Sequence, residues 1–112
     1  MKYEKIPSKI KVGGQEIAVR QIHHCEDNKL GDCIVASGEI NIAEIFNNDK
    51  QQSQGSKENT FYHELTHAIL DTMGRRDLSD DETFVCTFSG FLTEAMTNAY
   101  FKEEENETER QP

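Results

Sequence analysis

Two imidazoles four residues apart, with a carboxylate directly after the first, occur in the run His63-Glu64-Leu65-Thr66-His67. In a helix, positions i and i+4 lie one turn apart on the same face, so the two rings can converge on one metal ion. Neutral imidazole suits Zn²⁺, whose catalytic sites take three protein ligands and leave the fourth corner of a tetrahedron to water. The ion acidifies that water and polarises a carbonyl oxygen, and Glu64 stands where it can take the proton. The chemistry on offer is metal-assisted hydrolysis on a single zinc ion, with His63 and His67 as ligands and Glu64 as general base.

Two histidines hold zinc weakly, so a further ligand must come from outside the five-residue run. A third histidine six residues after His67, preceded by glycine at the third, is ruled out because those positions are Met73 and Leu70. Glu82, fifteen residues past His67, would complete a His₂Glu set; Asp77, in Gly74-Arg75-Arg76-Asp77, is the second candidate. Asp71 stands one turn beyond His67 and can accept the remaining ring N–H of a zinc histidine, or it is a solvated carboxylate. Tyr62, Tyr100, His23 and His24 are the available donors for an oxyanion, and the sequence does not choose among them. His23-His24-Cys25 resembles a ligand cluster, but neighbouring side chains on an extended segment point to opposite faces, so no second metal site is expected there.

These side chains need two helices to hold them. From Thr60 to Met73 there is no proline, and the first glycine is Gly74; Phe61, Leu65, Ala68, Ile69, Thr72 and Met73 share one arc at about 100° per residue, away from both histidines. Ser53 or Ser56 can cap this helix. Ser79-Asp80-Asp81-Glu82 reads as a capping box that opens a second helix, in which Glu82 would bond the Ser79 backbone rather than a metal. Phe84, Val85, Phe88, Phe91, Leu92, Ala95, Met96 and Ala99 then keep helical spacing to about Phe101 and read as core packing.

Upstream, Gly13-Gly14 and Ser37-Gly38 each separate two alternating apolar runs, which predicts two hairpins. The segment from Asn47 to Gly55 is polar, without apolar period, and is expected to be a mobile connection. Strands followed by helices predict an α+β class: a small antiparallel sheet of about four strands with two packed helices on one face.

With 112 residues the chain affords one modest core, and a single domain over 1–101 is expected, followed by an acidic, solvated or disordered tail over 102–112. A formal net charge of −9 argues against nucleic-acid partners, since phosphates would be repelled. No run of 18 apolar residues and no apolar leader is present, which predicts a cytoplasmic protein without membrane attachment. Cys25, Cys33 and Cys86 are odd in number and lack Cys-x-x-Cys spacing, so neither a disulfide framework nor a zinc ribbon is indicated.

His63-Glu64-Leu65-Thr66-His67-Ala68-Ile69-Leu70, followed by Glu82-x-x-Val85-x-x-Phe88-Ser89-x-x-Leu92, resembles the minimal gluzincin metallopeptidases of phages and prophages, similar to the ImmA/IrrE group. The departures are Val85 and Ser89, where that family usually has alanine, and the lack of an appended DNA-binding or sensor domain. The resemblance covers about residues 39–92 and implies a zincin-like core, Glu82 as third zinc ligand, and a peptide or protein substrate, narrowly chosen. It implies an edge strand at Glu39-Ile40-Asn41-Ile42, along which an extended substrate would lie by strand addition. The rival expectation is a protein of the same fold that binds a metal or a partner without hydrolysis.

Overall fold

The computed structural model describes residues 5–102, so all of the acidic tail after Lys102 lies outside the described residues. Lys9–Val12 (β1) and Gln15–Ile22 (β2) form the first hairpin. Gly13 and Gly14 both adopt positive φ, 59° and 85°, as a two-residue turn with the twist of its flanking strands requires. Gly31–Ile34 (β3) and Glu39–Ala43 (β4) form the second, joined through a 3-10 turn and the left-handed Gly38.

The four strands make one sheet in the order β1-β2-β4-β3. It is mixed rather than antiparallel, because β4 runs parallel to β2, with Val19 opposite Ile40 and Gln21 opposite Ile42. The expectation that Glu39-Ile40-Asn41-Ile42 forms a free edge is therefore wrong. β4 has a strand on each side, Ile40 and Ile42 are fully buried, and Asn41 is buried with its amide on Asp32 at 2.9 Å. Alternation fixes which residues face the core, but not whether a strand sits at the centre or the rim. The rim strand beside the helices is β3.

The polar segment expected to be a loop contains a small ribbon, Ile45–Phe46 (β5) against Lys50–Gln51 (β6). Asn47 and Asn48 take the positive φ its turn needs. Buried Gln52 then bonds the Ala43 carbonyl at 2.6 Å and accepts from Thr60 at 2.9 Å, fastening the ribbon to the first long helix.

This helix, Gln54–Thr72 (α1), is capped by Ser53, whose side chain accepts the Ser56 N–H at 3.2 Å. Phe61 and Ala68 pack with Ile17, Val19, Ile40 and Ile42, each fully buried aliphatic side chain contributing roughly 2–3 kcal/mol. Ile69 and Met73 of the expected arc are exposed, and Leu70 is buried instead. α1 ends in a left-handed turn at Gly74, φ 80°, with Arg75 N–H on the Leu70 carbonyl at 2.8 Å.

Arg76–Ser79 (α2) is a single turn, and Glu82–Thr97 (α3) comes next, ending before Phe101. The capping box is corrected here. Ser79 is the last residue of α2, and the cap of α3 is Asp81, whose Oδ1 accepts the Phe84 N–H at 3.1 Å. α1 lies on β3 and β4, whereas α3 packs against α1 and α2. With essentially one long neighbour, α3 buries only Val85 and Ser89. The expectation of a wide core face on α3 thus fails: Phe88, Phe91 and Met96 are exposed, and Phe84 stacks on Phe88 at 5.9 Å between centroids. No helix among the described residues is long and apolar enough to cross a membrane.

Candidate metal centre

His63 and His67 project from α1 with ring centroids 5.0 Å apart, and the side chain that meets them comes from the first residue of α3. Glu82 divides its carboxylate between them. Oε1 lies 3.5 Å from His63 Nε2, and Oε2 lies 3.3 Å from His67 Nε2. Freed from the capping box, this carboxylate is brought back over α1 by the one-turn α2. The seam beneath it is made by Val85 and Ser89, the two buried residues of α3, and it is tied by a hydrogen bond from Thr93 Oγ1 to Asn59 Oδ1 at 3.2 Å.

The donor chemistry and spacing fit a divalent cation. A tetrahedral shell with bonds of about 2.0–2.1 Å has ligand-to-ligand edges of about 3.4 Å, close to each imidazole-to-carboxylate distance taken singly, while the ligand atoms that all lie within 4.8 Å of one another are those of His63, Glu82 and Cys86, with His67 joined through the second carboxylate oxygen. His67 Nδ1 lies 2.9 Å from the hydroxyl of buried Ser79. When that hydroxyl accepts the Nδ1–H, Nε2 is left with the lone pair that a metal needs, facing Glu82. Two lone pairs at 3.3 Å repel, and a cation between them makes the arrangement attractive.

The position behind His67 is filled by Ser79 and not by Asp71. Asp71 lines the cleft; its Oδ1 is buried without a hydrogen bond, 3.7 Å from Arg76 Nε, too long for one. Asp77 points elsewhere, paired to Arg75 at 2.9 Å in solvent. His23 and His24 stack edge to face on each other, and the Cys25 thiol bonds the Asn41 carbonyl at 3.9 Å. Among the described residues, the cluster of ligand-type atoms outside simple pairs is His63, Glu82 and Cys86.

Glu64 lies in a cleft of about 540 Å³ between β3 and the helices. Gly31 makes this approach possible: a Cβ there would stand 2.5 Å from Thr60 Cγ2 and 2.8 Å from the Asn41 carbonyl oxygen, with Glu64 Cγ 3.6 Å away. Burial pushes the Glu64 carboxyl up to about 7, the charges of Asp32 and Glu82 add to this, and Lys29 opposes it. Burial also lowers the His63 imidazole, helped by His67 and opposed by Glu82, which favours the neutral, ligating form. Five carboxylates and two cations, Lys29 and Arg76, line the cleft, an imbalance that attracts positive charge. None of Tyr62, Tyr100, His23 or His24 lines it.

Ser79, Lys29, the β3 residues and Cys86 escaped the sequence reading. Only Cys86 left a signal there, its spacing of four from Glu82. No known family, no curated protein and no solved structure matches this chain.

Proposed function

We propose that the chain is a small zinc-dependent peptidase, with His63, His67 and Glu82 as ligands and Glu64 as general base. The observation that carries this reading is the Glu82 carboxylate, delivered by a separate helix onto both Nε2 atoms of the His63/His67 pair. Zinc held by these three side chains would supply an acidified water and a polarised carbonyl. Glu64 then takes a proton from the attacking water and returns it to the leaving amine. Ser79 fixes the tautomer and orientation of His67. Lys29 and Arg76 are the cationic side chains available to offset negative charge that develops on the substrate.

The substrate in this reading is an extended peptide, and its docking strand is β3 in place of the buried β4. Gly31, Asp32 and Cys33 of β3 line the cleft, and β4 is the sole strand neighbour of β3 among the described residues. The reading agrees with the resemblance to minimal gluzincins and with the ligand role of Glu82 that it implies. A second reading, a metal-binding protein without hydrolysis, draws on Cys86, whose thiol stands 3.9 Å from Glu82 Oε1.

Metal analysis beside a protein-cleavage assay tests the proposal. Glu64→Gln should keep one zinc per chain and lose cleavage, and His63→Ala should lose both. Cleavage retained by the Gln variant removes the general base, and absence of bound zinc in the parent removes the proposal.

A further inference from the structure

The two helices that meet at the centre each carry a pair of ligand-type residues four apart: His63 and His67 on α1, Glu82 and Cys86 on α3. The proposed hydrolysis uses three of these four side chains and leaves Cys86 without a role. Yet ligand atoms of His63, Glu82 and Cys86 all lie within 4.8 Å of one another, and Cys86 Sγ is 3.9 Å from Glu82 Oε1. A tetrahedral zinc with one thiolate needs sulfur-to-oxygen or sulfur-to-nitrogen edges of about 3.6 Å, close to the 3.9 Å between Cys86 Sγ and Glu82 Oε1, and His67 Nε2 meets the same carboxylate through Oε2 at 3.3 Å. Cysteine is among the residue types most often buried, but Cys86 is exposed and free, and packing gives no reason for a thiol there.

We infer that Cys86 is a fourth protein ligand of the divalent cation, closing the centre into a His₂GluCys shell. This rests on the metal-binding reading above. On coordination the thiol gives its proton to solvent and the sulfur occupies the corner otherwise left to water. With that place taken, Glu64 would act on water only while the thiolate is displaced. The other cysteines compete poorly: burial, with nearby carboxylates, pushes Cys25 up to about 11 and Cys33 up to about 12.

The test is titration of the full chain with Co²⁺ as a spectroscopic substitute for zinc. One equivalent should produce a near-ultraviolet thiolate-to-cobalt charge-transfer band that is absent in Cys86→Ser and retained in Cys33→Ser. Cobalt affinity should fall by about a hundredfold in Cys86→Ser. Zinc should slow alkylation of Cys86 by iodoacetamide by about tenfold or more. Stoichiometric cobalt without the band, or a band that survives in Cys86→Ser, overturns the fourth ligand while leaving the three-ligand centre standing. Failure to bind cobalt or zinc at all overturns both.

Discussion

Replacing Glu82 with alanine separates a ligand from a helix cap by two independent numbers. The side chain is 64% exposed and its near partners are the two imidazoles and the Cys86 thiol, so the metal-free protein should lose within about 1 kcal/mol, mostly the acidic group at the helix start. Metal binding should respond far more. Apparent zinc energies of roughly 10–16 kcal/mol for four-ligand sites imply about 3 kcal/mol per ligand, a rise in Kd of about a hundredfold. At free zinc a hundred times the parent's Kd, the parent gains about 2.7 kcal/mol from binding and the variant about 0.4 kcal/mol. For a domain of this length each kcal/mol moves Tm by about 4–8 °C. Thermal melts with chelator and with buffered zinc should therefore differ by more than about 10 °C for the parent and by only a few degrees for Glu82→Ala. An equal zinc-induced rise in both proteins refutes the ligand assignment. A variant destabilised by about 1–2 kcal/mol without metal, with unchanged affinity, would return Glu82 to a capping role.

Ser79→Ala removes the partner of His67 Nδ1, and zinc affinity by competition with a chromophoric chelator should fall about 10- to 100-fold. Gly31→Ala sets a methyl group against Thr60 and the Asn41 carbonyl, where backbone must yield; urea unfolding should show a loss of about 1–3 kcal/mol. Glu64 makes the stability of the metal-free protein depend on pH. Its carboxyl is raised from 4.5 to about 7 on folding, so the folded chain holds the proton more tightly. The contribution of Glu64 to stability is then fully present below about 4.5 and is lost as pH climbs through 7, roughly 2–3 kcal/mol of it between about pH 5 and pH 8. Urea titrations at pH 5 and pH 8 should show this fall in the parent and not in Glu64→Gln; equal slopes in the two proteins contradict it.

The elements that hold the site were legible wherever local chemistry decides them. The Gly13-Gly14 turn and the α1 face carrying His63 and His67 follow from nearest neighbours along the chain, and the cap was narrowed to Ser53 or Ser56, of which Ser53 is the one used. Glu82 was legible as a ligand candidate by type and distance along the chain. What closes the centre was not: Ser79 reaches His67 only because α2 intervenes, and that single turn also moves the cap to Asp81. β4 and β3 exchanged places for a similar reason. The parallel pairing of Val19 with Ile40 joins distant segments, and alternating residues look alike at the rim and in the middle. The aromatic spacing of α3 identified a helix correctly, but periodicity cannot say how many neighbours a helix has.

The row of rings on α3 bears on how the molecules behave toward each other. Phe88 and Phe91 of α3 present apolar area to water, as do Tyr100 and Phe101 beyond its end, and such surface gains by meeting its own kind. Against this stands a formal charge of −9, whose mutual repulsion reaches only about 10 Å in 0.1 M salt and about 3 Å in 1 M. Colloidal behaviour should thus be governed by ionic strength: dispersed in dilute buffer, and self-associating as added salt strips away the long-range repulsion that keeps those rings apart.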